Sequence, residues 1–314
     1  MQWLMITGER RSGTTLLANF LNAQPNMTVL RDYLLVDRCR HQSDILSLGS
    51  ELTPAQKRKV LHRFDDYSAE VDHMLSIGSE TFDTLFDFYG QVMTALGEAG
   101  DVLVGHKATM EHAAMGGLLE HFEQLKVIYV LRDPRDMITS ALKKPEEFPG
   151  SLFDLCEAWQ DAQRAVEAVR AKPNIQDRFY VLRYEDLLLE TSETLAKLAA
   201  FLNVDTLQIP DALDDYGSTW KGNSSFGELS QVFDPAPVGR WKKGNSRAVR
   251  ITEILLGPAM AREGYEASPA IPVFFRFRVK IRHFLFCRVR WLIAMNWAFI
   301  RNVLNPLLNR LGAV

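Results

Sequence analysis

The residues best placed to do chemistry lie near the N-terminus, in Gly8-Glu-Arg-Arg-Ser-Gly13-Thr14-Thr15. Two glycines permit tight backbone turns, and the amides that open a following helix point at an anion. Arg10 and Arg11 bring positive charge, Arg11 a planar fork of donors, and Ser12, Thr14 and Thr15 bring hydroxyls. A nucleoside-triphosphate loop reads G-x-x-x-x-G-K-[ST], with its lysine on the β- and γ-phosphates. Here Thr14 stands in the lysine position and the cation has moved to Arg11, ahead of the second glycine. Such a site suits a short anionic group better than a triphosphate.

Three later segments have related chemistry. In Tyr129-Val-Leu-Arg132-Asp-Pro-Arg-Asp-Met-Ile-Thr-Ser140 an apolar run ends on an arginine. Asp133 can cap a helix there and Pro134 suits its first position. Val181-Leu-Arg-Tyr184-Glu-Asp-Leu187 is a second run ending on a polar helix start. Val238-Gly-Arg240-Trp241-Lys242-Lys243-Gly244 is a basic segment around a tryptophan. Each also has a plain structural reading: a solvated strand-end arginine, a core tyrosine, a basic turn.

Together these segments resemble the sulfotransferases that use 3′-phosphoadenylyl sulfate (PAPS), above all the branch of bacterial, carbohydrate and tyrosylprotein enzymes. Arg11-Ser-Gly-Thr-Thr-Leu-Leu17 is similar to the family's 5′-phosphosulfate loop. The resemblance implies that Arg10, Arg11, Ser12, Gly13, Thr14 and Thr15 hold the 5′ side of the donor. It places the 3′-phosphate on Arg132 and Ser140, Tyr184 near the adenine, and Arg240 and Lys242 over the nucleotide. PAPS is then the sulfuryl donor, adenosine 3′,5′-bisphosphate (PAP) the product, and no metal is needed. The acceptor is a hydroxyl on a glycan, a lipid or another metabolite.

For catalysis, Arg11 is expected to act as the cation on the bridging oxygen, and Lys107 resembles a family lysine placed after a strand. Two residues compete as the base. Asp32, 21 residues after Arg11, matches the acidic residue of tyrosylprotein sulfotransferases. His106 has the better ordinary pKa, but neighbours on a strand face opposite ways, so His106 and Lys107 are not expected to share a site. The similarity runs over about residues 2–250. It departs at Leu16, where some branches carry an adenine-stacking aromatic, leaving Trp220, Phe226 or Phe233 for that role. Trp220-Lys-Gly-Asn223-Ser224-Ser225-Phe226 reads as a site loop or as a structural turn. A phosphoryl-transfer enzyme on the same loop, and a nucleotide-binding but non-catalytic membrane protein, are the alternative functions.

These residues need elements to hold them. Apolar runs at Trp3–Thr7, Val102–Gly105, Lys126–Leu131 and Phe179–Arg183 alternate with helical patterns. That order predicts an α/β fold with a P-loop-like parallel sheet flanked by helices. Helices are expected at Thr14–Ala23, from Thr53-Pro54, at Leu152–Arg170 and at Thr191–Leu202. A helical insertion covers about 33–100, and 210–244 reads as a long loop.

Composition bounds the remainder. The chain has 314 residues, 39 acidic and 36 basic. After Glu266 no acidic residue occurs, while the last 48 residues carry eight cations. The sulfotransferase-like body, residues 1–266, is therefore acidic and a poor partner for nucleic acid. The basic tail, 267–314, alternates apolar and cationic residues from Phe275 to Arg282, as a strand does, while Phe284–Ile300 reads as a helix; a basic amphipathic helical tail is the expectation. Its expected occupant is a membrane surface, the acidic body or a second subunit. Trp291–Ile300, its longest uncharged stretch, is ten residues, about half a spanning helix. Met1 leads straight into a strand, so no signal peptide is expected. Three scattered cysteines and seven histidines without ligand spacing point to a reducing compartment and to no metal. A cytoplasmic protein, peripheral on the inner face of a membrane, is the expectation that follows.

Overall fold

The computed structural model describes residues 1–31, 36–42, 44–62, 82–97, 100–146, 150–213, 232–244, 246–266 and 271–299. Five strands form one parallel sheet: β1 (Gln2–Gly8), β2 (Met27–Arg31), β3 (Leu103–Lys107), β4 (Leu125–Leu131) and β5 (Phe179–Arg183), in the order β2-β3-β1-β4-β5. The chain moves outward from β1 to β2, returns through β3, then crosses β1 to reach β4 and β5. That reversal puts β1 at the topological switch point, where open parallel sheets bind ligands beyond the carboxyl ends of their strands. The pairs Ile6 with Lys107 and Leu131 with Arg183 bring those ends to one edge.

Helices cover both faces, as the alternating pattern requires. On one side lie α1 (Thr14–Asn22), α8 (Tyr184–Leu189) and α9 (Thr191–Leu202), packing Leu17, Phe20, Leu187 and Leu198 against Leu4 and Ile6 of β1. On the other, Trp3 and Met5 meet α4 (Leu85–Ala95), α5 (Met115–His121) and α7 (Leu152–Arg170). The alternation along β1 thus feeds two cores. Within the expected insertion the described residues form α2 (Val36–Gln42), α3 (Pro54–His62) and α4. The chain is completed by α6 (Pro134–Ala141), α10 (Ser246–Arg262) and α11 (Val273–Phe299).

Sequence patterns located four of the five strands. β2 went unread because Met27-Thr-Val-Leu-Arg31 is short, sits at the sheet edge and begins just after Pro25-Asn26. The tail is helical as expected, and Val273–Phe299 is one helix that runs through the strand-like alternation of Phe275–Arg282. Among the described residues it docks by one side only. Val279 is buried, Phe286 meets Phe153 at 5.3 Å between centroids, and Arg290 bonds Asp154 at 2.9 Å. Asp154 is also half of the capping box that starts α7. Among the described residues no helix is long and apolar enough to cross a membrane.

Candidate active site

The loop after β1 is tight for steric reasons. A side chain at Gly8 would strike the Val130 carbonyl of β4, and one at Gly13 would overlap the Tyr184 ring. Gly13 adopts φ 103°, which glycine enters without strain. Arg11 takes φ 67° with a Cβ to accommodate, a conformation that persists only when neighbours impose it. Those neighbours come from the second motif. Arg132 Nη1 donates to the Arg11 carbonyl at 2.7 Å, and Arg11 Nε donates to Ser140 Oγ at 3.1 Å. The two segments, about 120 residues apart in sequence, are therefore one unit.

Helix α1 begins directly behind this loop with no side-chain cap and no acidic residue in its first turn. Its leading amides keep their affinity for an anion. Ser12 Oγ and Arg132 Nε are buried without a protein partner among the described residues. A buried donor left so is costly unless a ligand takes it. Lys107, 3% exposed at the end of β3, donates to Thr15 Oγ1 at 3.4 Å. Its neighbour His106 faces the other core, fully buried, with Nε2 2.9 Å from the Tyr89 hydroxyl. Burial pushes its pKa down to about 3. The structure thus brings Arg11, Ser12, Gly13, Thr14, Thr15, Lys107, Arg132 and Ser140 together and leaves His106 outside, because adjacent strand residues point apart.

Tyr184 lies under Gly13 with the Arg132 guanidinium over its ring at 4.3 Å. Burial raises its pKa, with Arg132 opposing, so the phenol stays neutral. Arg240 is half-buried and bonds the Ala236 carbonyl through Nε, while Lys242 is exposed, its ammonium 5.8 Å from the Trp241 ring. Phe233 proves to be a core residue packed on Phe20 at 5.0 Å, so it is not free to stack on a base. Asp32, Trp220, Asn223, Ser224, Ser225 and Phe226 lie outside the described residues.

Sequence reasoning missed the residues that hold this basic segment in place. Asp136 of α6 accepts from the amides of Gly239 and Trp241, both at 2.7 Å. Arg135 is stacked on Trp241 at 3.9 Å and pairs with Asp133 and Glu253. Burial works against its charge, and the two carboxylates more than reverse that. Glu185, raised by burial, accepts from the Asp133 amide at 2.9 Å and from Tyr265. The available signal was the charge density of Arg-Asp-Pro-Arg-Asp at a strand end, too many ions for one solvated turn. A separate grouping, Glu157, His283 and Cys287, brings its ligand-type atoms within 4.8 Å of one another. It lies on the seam between α7 and α11, not at the loop after β1.

The family model described as sulfotransferase family matches residues 4–208. A protein-tyrosine sulfotransferase from Drosophila melanogaster is 24% identical over 209 residues, which is 65% of this chain and 38% of that protein. The match therefore spans well under half of the relative's length. The sulfotransferase domain of the Synechococcus PCC 7002 olefin synthase superposes with a TM-score of 0.57 at 20% identity, over 84% of this chain and 95% of that one. The sulfotransferase domain of the curacin biosynthetic pathway gives 0.54 at 18% identity, over 84% and 98%. At these identities the superpositions establish the α/β fold.

Proposed function

Because the chain belongs to the sulfotransferase family, we propose that it transfers a sulfuryl group from PAPS to an acceptor hydroxyl, with a glycan or lipid favoured. The observation that carries this reading is the joining of Arg11 to Arg132 and Ser140. It joins the segment expected to hold the 5′ side of the donor to the segment expected to hold its 3′-phosphate. The uncapped start of α1 and the buried donors on Ser12 and Arg132 suit a ligand with several anionic oxygens.

The donor supplies an activated sulfuryl group on a phosphosulfate anhydride. Ser12, Thr14, Thr15 and the α1 amides hold its 5′ side. Arg11 and Lys107 lower the energy of charge growing on the oxygen of the breaking bond. As that sulfur–oxygen bond breaks, a bond forms from sulfur to the acceptor oxygen, and the acceptor's proton passes to a base, for which Asp32 is our choice. Arg132 and Ser140 keep the 3′-phosphate still, and Arg240 and Lys242 cover the nucleotide. Orientation by these groups supplies much of the acceleration. The opposing reading, phosphoryl transfer, lacks a lysine at Thr14. A melting experiment separates the two. PAP is expected to raise Tm well above any shift produced by ATP with magnesium. Equal shifts, or turnover of ATP, would overturn the proposal.

A further inference from the structure

Among the described residues, helix α11 has a second face that the body does not use. Its docked side carries Phe275, Val279, His283 and Phe286, all half-buried or buried. Opposite them, at helical spacing, stand Phe274, Phe277, Ile281, Phe284, Leu285 and Leu292, each between 41% and 71% exposed. Monomeric soluble proteins seldom leave so continuous an apolar strip to water.

The flanking charge says what the strip fits. At 100° per residue, Arg276 and Lys280 fall along one edge and Arg278 and Arg282 along the other, with Arg288 on the strip itself. No acidic residue occurs anywhere in this helix. A cleft of about 500 Å³ between α11 and the body repeats the combination, with Leu142, Phe153 and Phe275 beside Arg247, Arg278 and Arg282. Apolar side chains bordered on both sides by long cationic ones match acyl chains under anionic headgroups: the rings enter the acyl boundary and the cations reach up to phosphate. A second copy of this helix would set cation against cation along both edges.

We propose that α11 is an interfacial anchor. It lies flat on an anionic lipid surface through Phe274, Phe277, Ile281, Phe284, Leu285 and Leu292 while its other side stays docked on α7 and α10. The anionic inner leaflet of a cell membrane is a surface of this kind. This proposal does not depend on the transferase reading, since α11 shares no residue with the loop after β1.

The test is co-sedimentation of the full chain with vesicles of phosphatidylcholine alone and with phosphatidylglycerol added. Binding is expected to be at least about tenfold greater with the anionic lipid and to fall with added salt. The double variant Phe277→Glu/Ile281→Glu should lose binding while keeping its Tm, because both side chains are exposed. Equal sedimentation with and without anionic lipid, or undiminished binding by the double variant, would overturn the proposal. So would a protein that is dimeric without lipid and turned monomeric by the double variant, which would assign the strip to a second copy.

Discussion

Arg11 and Arg132 at the sheet edge, and Arg276 and Arg288 on α11, hold the same guanidinium in opposite ways. In the first pair each fork is fixed by carbonyl, hydroxyl or ring partners from another element, and Arg132 is 9% exposed. In the second both side chains are exposed, and Arg288 lies over the rings of Phe284 and Trp291, 5.8 and 5.7 Å from their centroids. A fixed fork selects the shape of its ligand. A loose cation responds to charge density and little else. The two proposals thus give one protein two kinds of anion recognition, one specific and one indifferent to geometry.

The largest effect should come from removing the fork and keeping the charge. Arg11→Lys is expected to lower sulfuryl transfer by about 100-fold or more, the scale for losing one positioned donor, in a protein with unchanged Tm. Arg276→Lys should leave vesicle binding as it was. Radiolabel transfer from PAPS beside co-sedimentation would read both, and full activity in Arg11→Lys would erase the distinction. Next, Gly13→Ala forces a methyl into the Tyr184 ring at a left-handed φ. It should cost about 1–3 kcal/mol of stability and remove the Tm rise given by PAP.

The buried region should also respond to pH. His106 takes up a proton near the ordinary pKa of about 6.5 when unfolded, but only near about 3 when folded. The unfolded chain thus binds more protons in that window, and stability falls as pH drops through it, by up to about 1.4 kcal/mol per unit. Denaturant melts at pH 7 and pH 5 would measure the slope, and His106→Gln should flatten it. Smallest of all, Arg290→Ala breaks exposed pairs with Asp154 and Glu157. A loss of roughly 0.5 kcal/mol is expected by thermal melting, and a much larger loss would mean that the docked side of α11 is as tightly specified as the loop.

How much of this was legible in the sequence follows the same division. The loop after β1, the arginine ending β4 and the helix caps at Asp133 and Pro134 could be read because each is a local device, with its signal inside a few residues. Lys107 and His106 separated correctly on strand alternation alone. Asp136 and Glu185 could not be read, since their partners lie about 100 and about 50 residues away and an isolated carboxylate looks solvated. The tail reads as helical overall, yet its first turns are ambiguous for another reason. Both of its faces are apolar, one docked and one exposed, so cations fall between them at every second residue and imitate a strand.

The contact between Gly13 and Tyr184 has a consequence for descent. A residue of the first motif has no side chain because a residue of the third occupies the space, and the arginine of the second lies on that same ring. The three are coupled: a larger residue at position 13 calls for a smaller one at 184, which would leave the guanidinium without its platform. Across descendants of this chain, the three positions should drift together or stay fixed. A gene that inherited one motif from a different lineage by recombination would inherit a misfit at this contact.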